Sequence, residues 1–408
     1  MSGDSRSVLL VHHRDISSPF SATVPHYLAR ELSESHTVHV VCRARLGDDD
    51  ENQFPESVER HAVATGQIPV LSGLLFLVLS TLYAGVLGAV YRYDAVYAFQ
   101  RTIVQGRVAA SAALARFVVG LQSVPVRQKR DLAGAAHERM SVRKRILVEL
   151  KSTYAWVVGH LLDWRAEVIC LTEGIRDVTE QEYGIDLSDA RVIGMGVDVD
   201  RFAVDTDRDR ATGPDDTWVV TYVGSIGEPR GLEHVLEAVA ETDRDVEFHV
   251  AGGGRDRYMA ELRELTRELG IEDRVEWLGI VSHEAVPSVI ARSDLAISPL
   301  HDIESYRISF PAKILEYMAA GSLVVATDIP AHRRLVDDGR NGLLYDGSVD
   351  GLLDVFDACA EGDVDTRALR RAARDTAGAY DWDAVVAEHE RVLFDQRVRQ
   401  PRAAPVSA

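Results

Sequence analysis

Three side chains in the second half of this sequence are of the types that hold a nucleotide: Arg230, Lys313 and Glu316. Lys313 and Glu316 lie three apart in PAKILEYMAAG. On a helix opening at Pro311 they project from one face of its first turn. A cation there holds a phosphate, and a carboxylate accepts two hydrogen bonds from a ribose diol. The plainer alternative is a surface Lys–Glu pair. Composition favours the first, because the chain has 4 lysines against 41 arginines. A lysine at a helix start in so arginine-rich a chain suggests a compact point charge chosen for a phosphate. Arg230 stands in GSIGEPRG (224–231), a strand-to-helix loop with glycine at both ends. Backbone groups of Gly224, Ser225, Gly227 and Gly231 form a phosphate cradle there, and Arg230 adds its charge to the helix dipole. Gly253 sits in the matching GGGR loop (252–255) after the next strand.

These residues need strands to aim them. An apolar strand (295–298) runs into a polar loop, the helix with Lys313 and Glu316 follows, and a second apolar strand (323–326) comes after Gly321. That is one turn of a parallel α/β sheet, whose ligand crevice lies at the strand C-ends. Further strands are expected at 218–223, 246–251, 275–278 and 343–345, and three helices close the chain. The first half repeats the pattern: strands at 8–12, 37–42, 95–99, 168–171 and 191–197, with helices at 24–34 and 173–183. The fold class is therefore α/β, with two doubly wound parallel-sheet domains facing across a cleft. We expect an acceptor-side domain at 1–200, a linker at 198–216 dense in Asp, Arg, Thr and Gly, and a nucleotide-binding domain at 217–380. A terminal helix at 381–398 is expected to cross back to the first domain, ahead of a disordered tail at 399–408. The first loop has no glycine, but Ser17, Ser18 and Ser21 offer hydroxyls, and His12 and His13 sit at the strand's C-end.

At 408 residues, two or three domains are expected. A formal charge of −19 argues against nucleic acid as a partner and is the composition of a protein kept soluble at very high salt. The DDDE run at 48–51 reads as a solvated loop, with a metal-binding acidic motif as its rival. Cys42, Cys170 and Cys359 are far apart and read as buried hydrophobes in a reducing compartment. No signal peptide is read at the start, since residues 7–11 form a first strand. Residues 68–91 carry no charge and are long enough to span a bilayer. A span would put the first strands and the strand at 95–99 on opposite sides, so a helix partly buried and partly docked on a membrane face is preferred. Residues 127–151 hold eight basic residues, Arg143, Lys144 and Arg145 among them, against three acids. Beside the apolar helix this suggests contact with anionic lipid or a phosphate-bearing acceptor, against a solvated helical face.

Read whole, the second half resembles the family 4 glycosyltransferases, retaining enzymes of the two-Rossmann GT-B fold. The resemblance rests on YVGSIGEPRGLEHVLEAV, FHVAGGG, VEWLGIVSHEAVPSVIARSDLAISPL, PAKILEYMAAGSLVVATD and LVDDGRNGLLY, in the family's order and spacing. It extends back through VIGMGVDVDRF and ICLTEGIRDVTEQEYGI to Val168; the first 165 residues match only in layout. The resemblance implies a nucleotide-diphosphate sugar in the second domain, an acceptor in the first, and no metal or other cofactor. Glu316 matches the ribose-binding glutamate, Arg230 the basic residue on the diphosphate, and Lys313 a variant in which lysine joins the phosphate grip. These charges would stabilise the leaving diphosphate. Three positions depart from the pattern. Ile308 stands where many members have a second glutamate, with Glu304 too far upstream to fit; Ser225 stands where an arginine is common; and the family's first-domain histidine falls near Phe99, beside Gln100 and Arg101. His12 and Arg101 are the acceptor-side candidates.

The reading is a metal-independent sugar transferase, peripheral at the cytoplasmic face of the cell membrane, acting on a lipid-linked or other membrane acceptor. Two rivals are a noncatalytic GT-B partner that binds nucleotide, and a GT-B sugar-nucleotide epimerase with no need of a membrane face.

Overall fold

A computed structural model describes residues 5–17, 23–45, 54–65, 69–124, 166–203 and 217–394. Ser18, Ser21, the acidic run at 48–51, the basic stretch with Arg143, Lys144 and Arg145, most of the linker and the tail from 399 lie outside them.

The first sheet is all parallel. Its strands are β1 (Ser7–Val11), β2 (Thr37–Arg45), β3 (Val58–Thr65), β4 (Ala95–Phe99), β5 (Arg116–Leu121), β6 (Glu167–Cys170) and β7 (Arg191–Val192). They lie in the order β3-β2-β1-β4-β5-β6-β7. Among the described residues, the helices of this half are α1 (Thr23–Leu32), α2 (Pro69–Tyr91), α3 (Ile103–Ala113) and α4 (Glu173–Tyr183). The second sheet holds β8 (Trp218–Val223), β9 (Val246–Ala251), β10 (Val275–Gly279), β11 (Leu295–Ser298), β12 (Leu323–Thr327) and β13 (Leu343–Tyr345), in the order β10-β9-β8-β11-β12-β13. After the short α5 (Val199–Phe202) its helices are α6 (Leu232–Glu241), α7 (Asp256–Glu268), α8 (Val286–Ile290), α9 (Glu304–Arg307), α10 (Ala312–Ala319), α11 (Val349–Glu361), α12 (Thr366–Gly378) and α13 (Trp382–Phe394).

Both sheets reverse direction at their first strand, between β1 and β4 and between β8 and β11. Such a reversal opens a crevice at the strand C-ends, because the loops on either side leave toward opposite faces. The central strands are buried on both faces, as a sheet covered by helices on each side requires: Val8, Leu9, Leu10 and Val11 all lie in the core.

The stretch 191–197 is not the full strand expected from its sequence. Only Arg191–Val192 pairs with β6. The chain then peels away through Gly194, where a Cβ would lie 2.6 Å from the Phe310 ring, and Gly196, where it would lie 2.7 Å from Trp382. Val197 forms a lone bridge to Asp381, so the two crossings between the halves run side by side. Helix α13 follows the second of them and buries Trp382, Val385, Val386, Val392 and Leu393 in the core of the first half.

Helix α2 has its apolar side outward. Ser72, Phe76, Ser80, Ala84 and Leu87 are buried, whereas Leu74, Leu75, Val78, Leu79, Leu82, Val86 and Val90 are exposed. The inward serines are satisfied: Ser72 accepts from Arg43 at 2.7 Å, and Ser80 accepts from Gln105 at 3.3 Å. Residues Ser72–Tyr91 are long and apolar enough to cross a membrane. The helix nevertheless leaves β3 and returns to β4, and both strands belong to one sheet, so it lies along the domain.

Candidate active site

The second crevice is formed by the loop after β8 and the segment after β11. Gly224 donates its N–H to Ala251 at 2.9 Å, and its carbonyl fills the space a Cβ on Gly252 would need, 1.8 Å away. Gly231 has φ +68°, and a Cβ there would lie 2.0 Å from the Pro299 carbonyl oxygen. Glycine is therefore required for the two loops to close on each other. Arg230 ends the short turn before α6, donates to Ser225 Oγ at 3.1 Å, and lies 5.1 Å from the centre of the Tyr306 ring. Ser225, which replaces an arginine common in the family, thus orients Arg230.

Helix α10 opens at Pro311. Lys313 Nζ donates to Glu316 Oε2 at 2.8 Å, so the two do share one face of the first turn. Glu316 is the more enclosed, with 17% of its side chain exposed against 42% for Lys313. Tyr317 fixes the helix to the crevice: its buried hydroxyl accepts the Val223 N–H at 3.1 Å, at the C-end of β8. Burial pushes that phenol far up. The structure therefore brings Arg230, Lys313 and Glu316 to one switch point. Gly253 follows β9, where a Cβ would meet Ile280 at 2.8 Å. Ile280 is 86% exposed, an apolar platform beside the crevice that sequence reading passed over. A lone isoleucine after WLG resembles core until the strand end is located.

The departure at Ile308 has a structural reason. Its carbonyl accepts from Thr172 Oγ1 at 2.6 Å, and its side chain packs on the first-half core, 2.9 Å from where Gly174 would carry a Cβ. This position serves the contact between the halves. Glu304 is an exposed residue opening α9.

The first crevice, at the ends of β1 and β4, gathers His12, His13, Arg14 and Arg101. His12 is buried, and its Nδ1 lies within hydrogen-bond reach of both the Arg14 N–H, at 3.2 Å, and the Arg14 carbonyl, at 3.3 Å. Burial lowers its pKa to about 4, with Arg14 and Arg101 adding to the fall. His13 is lowered further, to about 2, by burial and then by His12 and Arg101. The candidates His12 and Arg101 are thus near neighbours, and His13 joins them. Phe99 is core, stacked on Tyr97 at 4.4 Å and edge-on to His12 at 5.7 Å. The next residue, Gln100, holds φ +35°, a conformation side chains rarely adopt, and its amide donates to the Ser123 carbonyl. The crevices face each other: His283, after β10, has its pKa lowered to about 4 by burial, then by Arg201 and Lys313, and by His26 of the first half. In a chain of −19, this concentration of basic residues suits a diphosphate.

Two parallel sheets with this strand order, their switch points opposed, define the GT-B architecture. The chain belongs to the GT-B glycosyltransferases: residues 21–201 match the family described as Glycosyltransferase Family 4, and residues 217–360 that described as Glycosyl transferases group 1. It is 34% identical over 234 residues to the D-inositol 3-phosphate glycosyltransferase of Mycolicibacterium smegmatis, covering 54% of this chain and 52% of that one. It is 30% identical over 210 residues to the phosphatidyl-myo-inositol mannosyltransferase of Mycobacterium leprae, covering 50% and 53%. The chain spans about half the length of the curated relatives it matches. The crystal structure of Anabaena HepE with UDP and glucose superposes with a TM-score of 0.70 at 20% identity, covering 95% of this chain and 99% of that one. At that identity the likeness establishes the fold.

Proposed function

We propose that the chain is a retaining glycosyltransferase that moves one sugar from a nucleotide-diphosphate donor to a membrane-associated, lipid-linked acceptor. The observation that carries the reading is the meeting of Arg230, Lys313 and Glu316 at the β8–β11 switch point, opposite a second basic crevice. Glu316 accepts the ribose hydroxyls. Arg230 and Lys313 take the diphosphate, with Gly224, Ser225, Gly227, Gly231 and Gly253 allowing the backbone to approach it. As the sugar–phosphate bond breaks, negative charge grows on the leaving diphosphate, and fixed cations are worth most at that moment. The leaving phosphate itself takes the acceptor's proton, so no side-chain nucleophile is required. Neutral His12 and Arg101 position the acceptor. The outward apolar face of α2, with the basic residues of 127–151 following, supports action at a membrane surface. A relative named for a phosphatidylinositol acceptor supports it too.

The test is a thermal-shift screen of UDP, GDP and ADP sugars at high salt, with Glu316→Gln as control. One nucleotide should raise the melting temperature. The variant should bind it more weakly by roughly 1.5–3 kcal/mol, the worth of a hydrogen bond to a charged acceptor. Unchanged affinity in the variant removes Glu316 from the site, and no shift with any donor favours a noncatalytic partner.

A further inference from the structure

Beneath α2, at the opposite end of the first sheet from the crevice, lies a cluster the transfer reaction does not use. His39 pairs with Glu59 and Val41 with His61 in the β2–β3 register, so alternate residues put His39, Glu59 and His61 on one face. His61 Nε2 lies 3.1 Å from His39 Nδ1 and 3.4 Å from Glu59 Oε1, while His39 Nε2 lies 3.3 Å from Glu59 Oε2. Donor atoms around a tetrahedral zinc ion with bonds of about 2.0–2.1 Å are spaced about 3.4 Å apart, so the two separations from His61 Nε2 fit, and one ligand atom from each of the three residues lies within 4.8 Å of the others. Tyr93 Oη lies 2.8 Å from His39 Nδ1, and Glu59 faces both rings with its two carboxylate oxygens. A further hydrogen bond orients a ligand: Tyr83 Oη lies 3.0 Å from His61 Nδ1, which leaves Nε2 to bind. His39 is buried, His61 partly buried and Glu59 exposed, so the site has a floor and an entrance.

We propose that one ring nitrogen of His39, Nε2 of His61 and a carboxylate oxygen of Glu59 bind one divalent transition-metal ion of the zinc class. The ion is structural. Tyr83 and Tyr91 belong to α2, the first bonded to His61 and the second 4.4 Å from the His39 ring, so a filled site clamps this outward-apolar helix onto the sheet edge. A second cluster of similar composition, Glu233, His234 and His301, is held otherwise. Glu233 accepts from Tyr258 at 2.8 Å and pairs with His301 at 2.7 Å, while His234 reaches the Gly347 carbonyl at 3.1 Å.

The experiment uses the full chain, stripped with a chelator and titrated with Co²⁺ and then Zn²⁺. One equivalent of Co²⁺ should give the intense visible bands of a tetrahedral site, bleached by Zn²⁺, and Zn²⁺ should raise the melting temperature. His61→Ala and Glu59→Gln, at the accessible side of the cluster, should each weaken Zn²⁺ about 10-fold or more. Each should also lose the thermal shift, whereas His301→Ala keeps both signals. No tetrahedral bands, or undiminished binding in folded His61→Ala, overturns the proposal.

Discussion

Ile308 shows how one residue can belong to a different task from the one its position suggests. Eight places before Glu316, where many family members carry glutamate, its carbonyl takes the Thr172 hydroxyl and its side chain joins the first-half core. Ile308→Glu should therefore leave donor affinity unimproved and lower stability by about 1–3 kcal/mol, as a carboxylate enters an apolar contact. Tighter donor binding in calorimetry would put position 308 in the donor site after all. Buried histidines set a second expectation. His332 and His389 are held neutral by burial, each with its pKa lowered to about 4 from 6.5. As pH falls below about 6.5 the unfolded chain takes up protons that the native state refuses, so their contribution is full above that pH and lost on the way to 4. Each accounts for roughly 3 kcal/mol across that window. The melting temperature should fall between pH 6.5 and 5, and less so in His389→Gln, whose amide can still donate to Val385. An equal fall in the variant would clear His389. At this scale the pairing of Lys313 with Glu316 was readable because the two are related by three residues of helix. Ile280 was not, since its place beside the crevice depends on how distant strands pair.

Among the elements, α2 departs most from the usual pattern, burying serines and exposing leucine and valine. Its lack of charge was plain in the sequence. Which side faces out was not, because a helix apolar all round carries no amphipathic signal. Leu82→Gln, Val86→Gln and Val90→Gln together should reduce binding to phospholipid vesicles about 10-fold or more. The melting temperature should hardly move, since exposed substitutions are individually worth within about 0.5 kcal/mol. Vesicle binding that survives the triple change, measured by co-flotation, would assign this face to another protein. The strands that went unread follow the same logic. VERHAVAT of β3 is an edge strand mixing charged and apolar residues, and RFVVGL of β5 follows α3 by only a few residues, so neither stands apart as an apolar run between turn signals. The stretch 191–197 failed in the opposite way. Its apolar residues read as a strand, but Gly194 and Gly196 serve the close passage of Phe310 and Trp382, which no local pattern encodes.

At the scale of the whole molecule, the two halves are joined by chain that crosses twice at one place, Val197 bridging to Asp381. Trp382 stands immediately after that bridge. Its ring stacks on Tyr27 of α1 with centroids 4.6 Å apart and planes within 8°, and it lies against Gly196 of the outgoing segment. Helix α13 is thus part of the first half's core, where His36 also meets Glu390 at 3.0 Å. It follows that the first half is completed only after the second has been made. Trp382→Ala should cost roughly 3–5 kcal/mol, the usual range for emptying a buried aromatic site. The loss should fall on the first half, because the variant removes nothing from the core around Val220, Phe248 and Leu295. Hydrogen exchange read by mass spectrometry distinguishes the outcomes. Faster exchange in β1, β2 and β4, with β8, β9 and β11 still protected, is the expected result. Equal acceleration in both sheets would mean that the halves unfold as one cooperative unit, their contact at Ile308 and Thr172 being strong enough to carry the damage across.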